Sequence, residues 1–246
     1  RTQLLDPAVT TFPRLETLML ESTYGGRVHE DRKERTLLLQ SAIYETAVMK
    51  GVLMIPSFAI ERTQELLYEL NNLVNNHDIP PIPIFLDSPL AIKATNIFKR
   101  YPAFLNTETT SMIRTGDDVF HFPNLHATLT SEESKHINDI PAPKIIIAGS
   151  GMAQGGRILH HIKRYIGDAV NQYLIIGYQV EGSLGRRLLD GEKMIRVHGQ
   201  HYPVHAKIRA IGGYSAHADQ PHLSAWVQHF DPKQLQYLFL NHGEQQ

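Results

Sequence analysis

Three side chains near the two ends of the chain have types suited to hydrolytic chemistry. They are Glu21 in the segment ESTYG, His217 in YSAHAD and His242 in LNHGE. An imidazole can bind a metal ion or transfer a proton, and a nearby carboxylate can orient its ring. Each residue also has a plainer interpretation, because exposed histidines and strand-end carboxylates are common. Their types alone assign no role, and an exposed terminal histidine is the favoured interpretation of His242 when it is considered without its segment.

A glycine-rich segment, GSGMAQGGR, runs from Gly149 to Arg157 between an apolar and an amphipathic stretch. Glycines let backbone N–H groups approach a phosphate closely, and a helix N-terminus adds partial positive charge. Gly149, Ser150, Gly151 and Arg157 are therefore candidate anion-binding residues. Taken alone, such a segment is more often a tight connection without a ligand. Its spacing also differs from the Gly-x-Gly-x-x-Gly pattern of dinucleotide-binding folds.

Two other arginines, Arg62 in PSFAIERTQELL and Arg186 in GYQVEGSLGRR, are candidate phosphate contacts. Arginine forks match phosphate oxygens, although most surface arginines are only solvated. Asp219 is interpreted as the N-cap of the following helix. The histidine pairs 160–161 and 201–205 are not interpreted as metal sites: the first two point in different directions on a helix, and Pro203 separates the second two.

The elements that position these residues alternate in type. Short apolar runs predict strands at 17–20, 52–56, 82–86, 144–148, 173–177 and 235–240. Amphipathic stretches predict helices at 29–50, from about 61 onward, and at 89–100, 155–166, 183–189 and 220–230. Gly51 is placed to end the first of these helices, and Ser88 is the predicted N-cap of the helix at 89–100. A capping box begins a short helix at 130–138, whereas 101–122 predicts helical turns with loop and 196–211 an antiparallel hairpin or meander. Strands followed by helices favour an α/β fold with a mostly parallel sheet.

Composition limits the answer only broadly. With 246 residues and 42% hydrophobic content, the chain can bury one or two cores. Its 24 Lys plus Arg balance 25 Asp plus Glu, so any nucleic-acid surface has to be local. The absence of cysteine excludes disulfides and thiolate zinc sites and favours a reducing cytoplasm. No apolar run approaches the roughly 20 residues of a membrane span, so we predict no membrane association.

The segments ESTYG, YSAHAD and LNHGE, in this order and far apart, resemble the three signature motifs of the β-CASP branch of the metallo-β-lactamase superfamily. The closest likeness is to the archaeal and eukaryotic cleavage and polyadenylation specificity factor nucleases, and it runs along nearly the whole chain. Members of this branch process RNA and DNA with zinc. The resemblance implies a Rossmann-like β-CASP domain, its parallel sheet flanked by helices, inserted into a metallo-β-lactamase domain.

The resemblance also implies a role for each candidate residue. His242 would bind zinc, and His217 would donate a proton to the leaving oxygen or stabilise the scissile phosphate. Glu21 would hydrogen-bond to His217. The residues implied to face single-stranded RNA are Arg62, Gly149, Ser150, Gly151, Arg157 and Arg186.

Part of the family pattern is not found in this sequence. The His-x-His-x-Asp-His cluster and the later aspartate that bridges the two zinc ions are both missing. We therefore expect a fragment whose metal site is incomplete and which is inactive alone. Its expected parts are metallo-β-lactamase remnants at 1–34 and 206–246 and a β-CASP domain at 35–205.

Three functions remain in competition. The first is the β-CASP part of a zinc-dependent ribonuclease, acting as an endonuclease or 5′-to-3′ exonuclease on RNA. DNA as a second substrate and a homodimer are further expectations for this function. The second is a non-catalytic RNA-binding subunit of the same fold, against which Glu21, His217 and His242 argue. The third is a nucleotide-binding Rossmann-like enzyme that uses the Gly149 loop, against which the missing acidic ribose partner argues.

Overall fold

The computed structural model describes residues 4–6, 8–12 and 14–243, so Glu244 of the LNHGE segment lies outside the described residues. In chain order the elements are β1 (Thr17–Glu21), α1 (Arg32–Met49), β2 (Val52–Pro56), α2 (Arg62–Asn75), β3 (Ile84–Asp87), α3 (Pro89–Arg100), α4 (Thr107–Arg114), β4 (Leu125–Ala127), α5 (Ser131–His136), β5 (Lys144–Ala148), α6 (Ile158–Tyr165), β6 (Gln172–Ile175), α7 (Leu184–Leu189), β7 (Met194–Val197), β8 (Gln200–Pro203), β9 (Lys207–Ala210), α8 (Gln220–Val227) and β10 (Tyr237–Asn241). Single 3₁₀ turns occur at Pro102–Phe104 and Gly212–Tyr214.

The central sheet contains six strands in the order β4-β3-β5-β2-β6-β9, and each neighbouring pair is parallel. Strands β2 and β5 are buried at every position. Such continuous apolar runs are typical of parallel strands that are covered on both faces. The predicted α/β fold with a Rossmann-like parallel sheet is therefore confirmed.

Helices cover both faces of this sheet. α1, α2 and α3 pack on one face against Leu53 and Ile55 of β2. α6, α7 and the β7–β8 hairpin pack on the other, against Val52 and Met54. The helix after β2 and the helix after β5 thus lie on opposite faces although the two strands are neighbours. In open α/β sheets, a crevice forms at the carboxyl ends of such strands, and ligands bind there.

Several helix ends follow the sequence signals. Ser88 caps α3 by accepting from the Ala91 amide, with Pro89 at the first helical position. Thr130 and Glu133 form the predicted capping box of α5. The end of α1 differs from the prediction, because Lys50 and not Gly51 adopts the left-handed conformation. Gly51 is required for another reason: a Cβ there would lie 1.9 Å from the carbonyl oxygen of Val170.

The segment 196–211 is only partly as predicted. β7 and β8 form the expected antiparallel hairpin. β9, however, pairs in parallel with β6 and forms the edge of the central sheet, from Gln172↔Lys207 to Ile175↔Ala210. A four-residue alternating segment does not specify its partner strand by pattern alone. The sheet consequently extends past residue 205, the predicted end of the β-CASP domain.

The two ends of the chain form a second, two-stranded sheet. β1 and β10 pair in parallel, from Thr17↔Tyr237 to Glu21↔Asn241. This confirms the predicted pairing of the flanking segments. Among the described residues, none of the helices is long and apolar enough to cross a membrane.

Candidate functional site

The β1–β10 pairing places two of the three candidate segments side by side. Glu21 is the last residue of β1, and His242 follows β10 directly. The Ser22 amide donates to the Asn241 carbonyl at 2.8 Å, so the ladder continues to the turn. His242 adopts a positive φ of 61°, and its exposed side chain lies on the wall of a cleft.

The third segment meets Glu21 as the sequence predicted. His217 Nδ1 lies 3.2 Å from Glu21 Oε2, which confirms that the two approach hydrogen-bonding distance. Partial burial tends to raise the pKa of the Glu21 carboxyl, but hydrogen bonds from Thr23 and the facing His217 together hold it below its usual value. The carboxylate is therefore charged and can orient the imidazole, whose side chain stays 47% exposed toward the cleft.

Asp219 joins the first and third segments. It caps α8 by accepting from the His222 amide at 3.3 Å, which confirms its interpretation as an N-cap. Its other oxygen accepts from the His29 amide at 3.1 Å, and Tyr24 forms a parallel bridge with it. The loop that carries His217 is thus fixed to the residues that follow β1.

A buried cluster fixes the other side of the same loop. Arg35 on α1 donates to the Gly213 carbonyl at 2.6 Å, and its guanidinium stacks 4.6 Å from the Tyr214 ring centroid. Glu69 on α2 lies 3.5 Å from Arg35 Nε. Sequence reasoning missed Arg35 and Glu69, because nothing in a helical pattern distinguishes a buried ion pair from a solvated one.

The cleft has a volume of about 990 Å³ and lies at the carboxyl ends of the central strands, beside the end motifs. Three loops contribute to it: the one after β2, the one after β5 through Met152, and the one after β6 through Tyr178. His217 and His242 form part of its wall. It occupies the crevice that the strand order predicts for a ligand. Phe58 and Tyr178 are cleft residues that sequence reasoning missed, although their positions just after strands were a usable signal.

Arg62 is the one candidate arginine that lines this cleft. Its side chain is 8% exposed and lies 3.2 Å from Glu61 Oε2 and 3.6 Å from Glu65 Oε2. Within the described part of the chain, its Nε and Nη1 have no hydrogen-bond partner. The guanidinium is therefore held by carboxylates on one side and keeps unused donors.

Arg157 lies elsewhere. Its guanidinium donates to the buried Asp87 at 2.7 Å and to the carbonyls of Thr128 and Leu129 at 2.9 Å. Asp87 also accepts from Thr128 and Ser134 hydroxyls and contacts His161 Nε2 at 2.7 Å. Although burial tends to raise the pKa of Asp87, these hydrogen bonds, His161's first among them, lower it to about 2. Arg157 thus links the Gly149 loop to the end of β3.

Arg186 is also not part of the cleft wall. Its Nε bonds both oxygens of Asp190, at 3.0 and 3.1 Å. It lines a neighbouring cavity of about 350 Å³ that shares Gly177 and Tyr178 with the cleft. The structure therefore brings Arg62, His217 and His242 to one cleft, with Glu21 in contact with His217, and leaves Arg157 and Arg186 outside it.

The glycines of the Gly149 loop are required for packing. A Cβ on Gly151 would lie 2.5 Å from the Phe58 ring, and one on Gly156, at a φ of +73°, would lie 2.3 Å from the Gly149 carbonyl oxygen. The Ser150 amide donates to Gly155 and its hydroxyl accepts from the Gln154 amide. The loop is thus stabilised by its own bonds, with Met152 facing the cleft.

A metal ion needs more ligands than this cleft offers. Within residues 4–6, 8–12 and 14–243, no three His, Cys, Asp or Glu side chains come together as a metal site. A zinc ion in a catalytic site is held by three protein ligands. The described residues therefore do not fit zinc by themselves, and His242 is the single candidate ligand.

Comparison with known proteins agrees with this geometry. Residues 63–188, about half of the chain, match the family model described as the Beta-Casp domain. Residues 201–246 match the model described as a Zn-dependent metallo-hydrolase RNA specificity domain.

Three relatives match nearly the whole chain. The chain is 34% identical over 243 residues to Ribonuclease TTHA0252 of Thermus thermophilus, a match that covers 99% of this chain and 54% of that protein. It is 30% identical over 253 residues to Transcription termination factor FttA of Methanosarcina mazei and 34% identical over 253 residues to the one of Pyrococcus horikoshii. Those two matches cover 100% of this chain and 39% and 38% of the relatives. The chain thus spans about half or less of these proteins, and it belongs to the β-CASP metallo-β-lactamase family.

Proposed function

We propose that this chain supplies the RNA-binding wall and the proton-transfer pair of a zinc-dependent ribonuclease. The observation that carries the proposal is the Glu21–His217 contact of 3.2 Å at the edge of a cleft that Arg62 and His242 also line. The names of the relatives, a ribonuclease and a transcription termination factor, support RNA as the ligand.

In this proposal His217 donates a proton to the oxygen that leaves the cleaved phosphodiester. Glu21 accepts from Nδ1, which leaves Nε2 as the nitrogen that can reach a substrate in the cleft. A positioned acid of this kind typically contributes a factor of about 10² to 10⁴ to the rate. Glu21 is a positioning residue, since it acts through the imidazole.

Arg62 is proposed to bind a phosphate with its unused donors, and Phe58 and Tyr178 to stack on bases, as aromatic residues do in single-strand binding sites. Gly149, Ser150 and Gly151 are proposed to shape the wall beside them through Met152. Arg157 and Arg186 are proposed to contact only the parts of a longer strand that extend beyond the cleft.

Zinc is part of the proposal for two reasons: the family model that the chain matches is described as Zn-dependent, and His242 is a candidate ligand. His242 is proposed as one ligand among others that lie outside the described residues, and cleavage by this chain alone is not expected. A cytoplasmic location, a homodimer and DNA as a second substrate stay parts of the proposal. Of these, the location rests on the lack of cysteine.

Single-turnover cleavage of single-stranded RNA by the full-length protein tests the role of His217. His217→Ala should lower the rate by about 10² to 10⁴ and leave RNA affinity within a factor of about three. The control is His229→Ala, an exposed histidine away from the cleft that should cleave normally. Unchanged cleavage by His217→Ala would refute the proposed proton transfer.

A non-catalytic RNA-binding function is the second candidate, favoured by the incomplete set of metal ligands. It predicts the same RNA affinity without any cleavage by the full-length protein. The cleavage assay therefore distinguishes the two.

A further inference from the structure

The turn between β2 and α2 holds Glu61 in an uncommon backbone conformation. Its φ and ψ are 65° and −54°, and the Arg62 amide donates to the Ile60 carbonyl at 2.8 Å across it. This geometry is that of the rare γ-turn with a positive φ, which is strained for a residue with a side chain. Strain of this kind is retained mainly where a site needs the residue.

The Glu61 side chain lines the cleft, and only one of its two carboxylate oxygens has a partner among the described residues. One carboxylate oxygen, Oε2, lies 3.2 Å from Arg62 Nη2. The other, Oε1, is buried and has no hydrogen-bond partner among the residues that the structure describes. The side chain is 17% exposed, so solvent satisfies it poorly. A buried acceptor without a partner is costly unless a ligand completes it.

The adjacent Arg62 has the opposite feature, a buried hydrogen-bond donor that lacks an acceptor. Its Nε is buried without a hydrogen-bond partner in the described part of the chain, whereas Nη1 lies 3.6 Å from Glu65 Oε2, and the side chain lines the same cleft. The turn therefore holds one unpartnered acceptor, Glu61 Oε1, beside one unpartnered cationic donor, Arg62 Nε, both buried in side chains that line the cleft. A matching ligand carries a hydrogen-bond donor next to an anion.

A ribonucleotide has this arrangement, since its 2′-hydroxyl lies next to its own 3′-phosphate. The hydroxyl can donate and is the group that distinguishes RNA from DNA. A carboxylate without such a donor would only repel the phosphate. We propose that Glu61 Oε1 accepts a hydrogen bond from a ribose 2′-hydroxyl while Arg62 binds the adjacent phosphate, so that Glu61 selects RNA over DNA.

This inference rests on the proposed RNA-binding function, and the experiment separates the two. Fluorescence anisotropy would measure the affinity of the purified chain for a labelled single-stranded RNA, for the DNA of the same sequence and for the 2′-O-methyl RNA. At pH 8, above the Glu61 pKa of about 7, a hydrogen bond to the charged carboxylate corresponds to roughly 10- to 100-fold in affinity. The unchanged chain should prefer RNA over both analogues by about that factor.

Glu61→Ala should remove the preference by weakening RNA binding about 10-fold or more, with DNA binding unchanged or slightly tighter. Glu61→Gln retains an acceptor oxygen and should keep part of the preference. Glu181→Ala is the matched control, because Glu181 is an exposed carboxylate on the same cleft wall. It should shift RNA and DNA affinity equally and leave their ratio unchanged.

Three results would overturn the assignment. Unchanged affinities for both RNA and DNA in Glu61→Ala would show that Glu61 does not read the ribose. An equal loss for RNA and DNA would show that it only holds Arg62 in place. Equal affinity of the unchanged chain for RNA and DNA would refute the selection while leaving RNA binding in the cleft intact, whereas no binding to either would refute the proposed function as well.

Discussion

At the scale of single residues, the molecule places its charged groups in two kinds of buried site. The Asp87 carboxylate accepts hydrogen bonds from four side chains and so stabilises the fold. Glu61 keeps an oxygen without a partner in the described structure and lies in the cleft. The contrast predicts opposite results when each carboxylate is neutralised: Asp87 stabilises the protein, whereas Glu61 costs stability at neutral pH.

The Asp87→Asn substitution should be strongly destabilising. It removes the buried charge that faces Arg157 and His161 and leaves the partly buried guanidinium of Arg157 without its counterion. Breaking a buried pair in this way typically costs about 3–5 kcal/mol. Urea unfolding at pH 7 would measure it. Asp139→Asn is the control, an exposed carboxylate beside His136 that should change the free energy of unfolding by less than about 0.5 kcal/mol. A loss near 0.5 kcal/mol for Asp87→Asn would contradict the role of this network.

The pH dependence of stability should show the opposite behaviour at Glu61. Burial raises the pKa of Glu61 from 4.5 to about 7, against the attraction of Arg62 and Arg35 and together with the repulsion of Glu65. Between these two pH values the folded chain binds more protons at Glu61 than the unfolded chain does. Stability from this group is therefore full below pH 4.5 and lost as the pH rises to 7.

The loss should reach about 2–3 kcal/mol, at 1.36 kcal/mol per pKa unit. Urea unfolding of the unchanged chain and of Glu61→Gln at pH 5 and pH 7.5 would measure it as the difference between the two pH slopes. The glutamine variant should have the flatter slope, since it cannot titrate. Parallel slopes would mean that Glu61 titrates normally.

Among the helices and strands, a sequence pattern that is compatible with only one structure predicts that structure. A pattern that is compatible with several structures does not. β2 and β5 follow from continuous apolar runs, and the start of α3 from Ser88 with Pro89. β9 was assigned to the wrong neighbour, because its alternating residues suit an antiparallel hairpin and a parallel edge equally.

The same limit applies to side chains. The Glu21–His217 contact was predictable because the resemblance fixed both ends of it. The bonds from Arg157 to Asp87 were not, since the sequence does not show which buried carboxylate an arginine will meet. Glu61 was not predictable, because the sequence shows neither its positive φ nor its carboxylate oxygen without a hydrogen-bond partner.

The two sheets should differ in their resistance to local opening. β10 is exposed at every position and pairs in a sheet of two strands, whereas β2 and β5 are buried inside a sheet of six. Isolated two-stranded pairing is marginally stable in water. Native-state amide hydrogen exchange of this chain should therefore be faster at 17–21 and 237–241 than at 52–56 and 144–148. Equal protection of both sheets would show that the end strands are as stable as the core.

At the scale of the whole molecule, strand order, motif pairing and packing converge on one place. The helices that follow β2 and β5 lie on opposite faces of the sheet, so a crevice forms at the carboxyl ends of these strands. The β1–β10 pairing places Glu21 and His242 at the edge of this crevice. The buried Arg35 cluster holds the loop of His217 there. We therefore propose that single-stranded RNA lies in this cleft, with its phosphate on Arg62 and its bases on Phe58 and Tyr178.

Photo-crosslinking tests that claim most directly. A short single-stranded RNA containing 4-thiouridine would be irradiated with the purified chain, and the crosslinked peptides would be identified by mass spectrometry. We expect crosslinks at Phe58, Met152 and Tyr178 of the cleft wall. Arg62→Ala should lower their yield, and substitution of the exposed Arg114 by Ala should leave it unchanged. Crosslinks confined to surfaces away from the cleft, such as the outer face of α1, would contradict that claim.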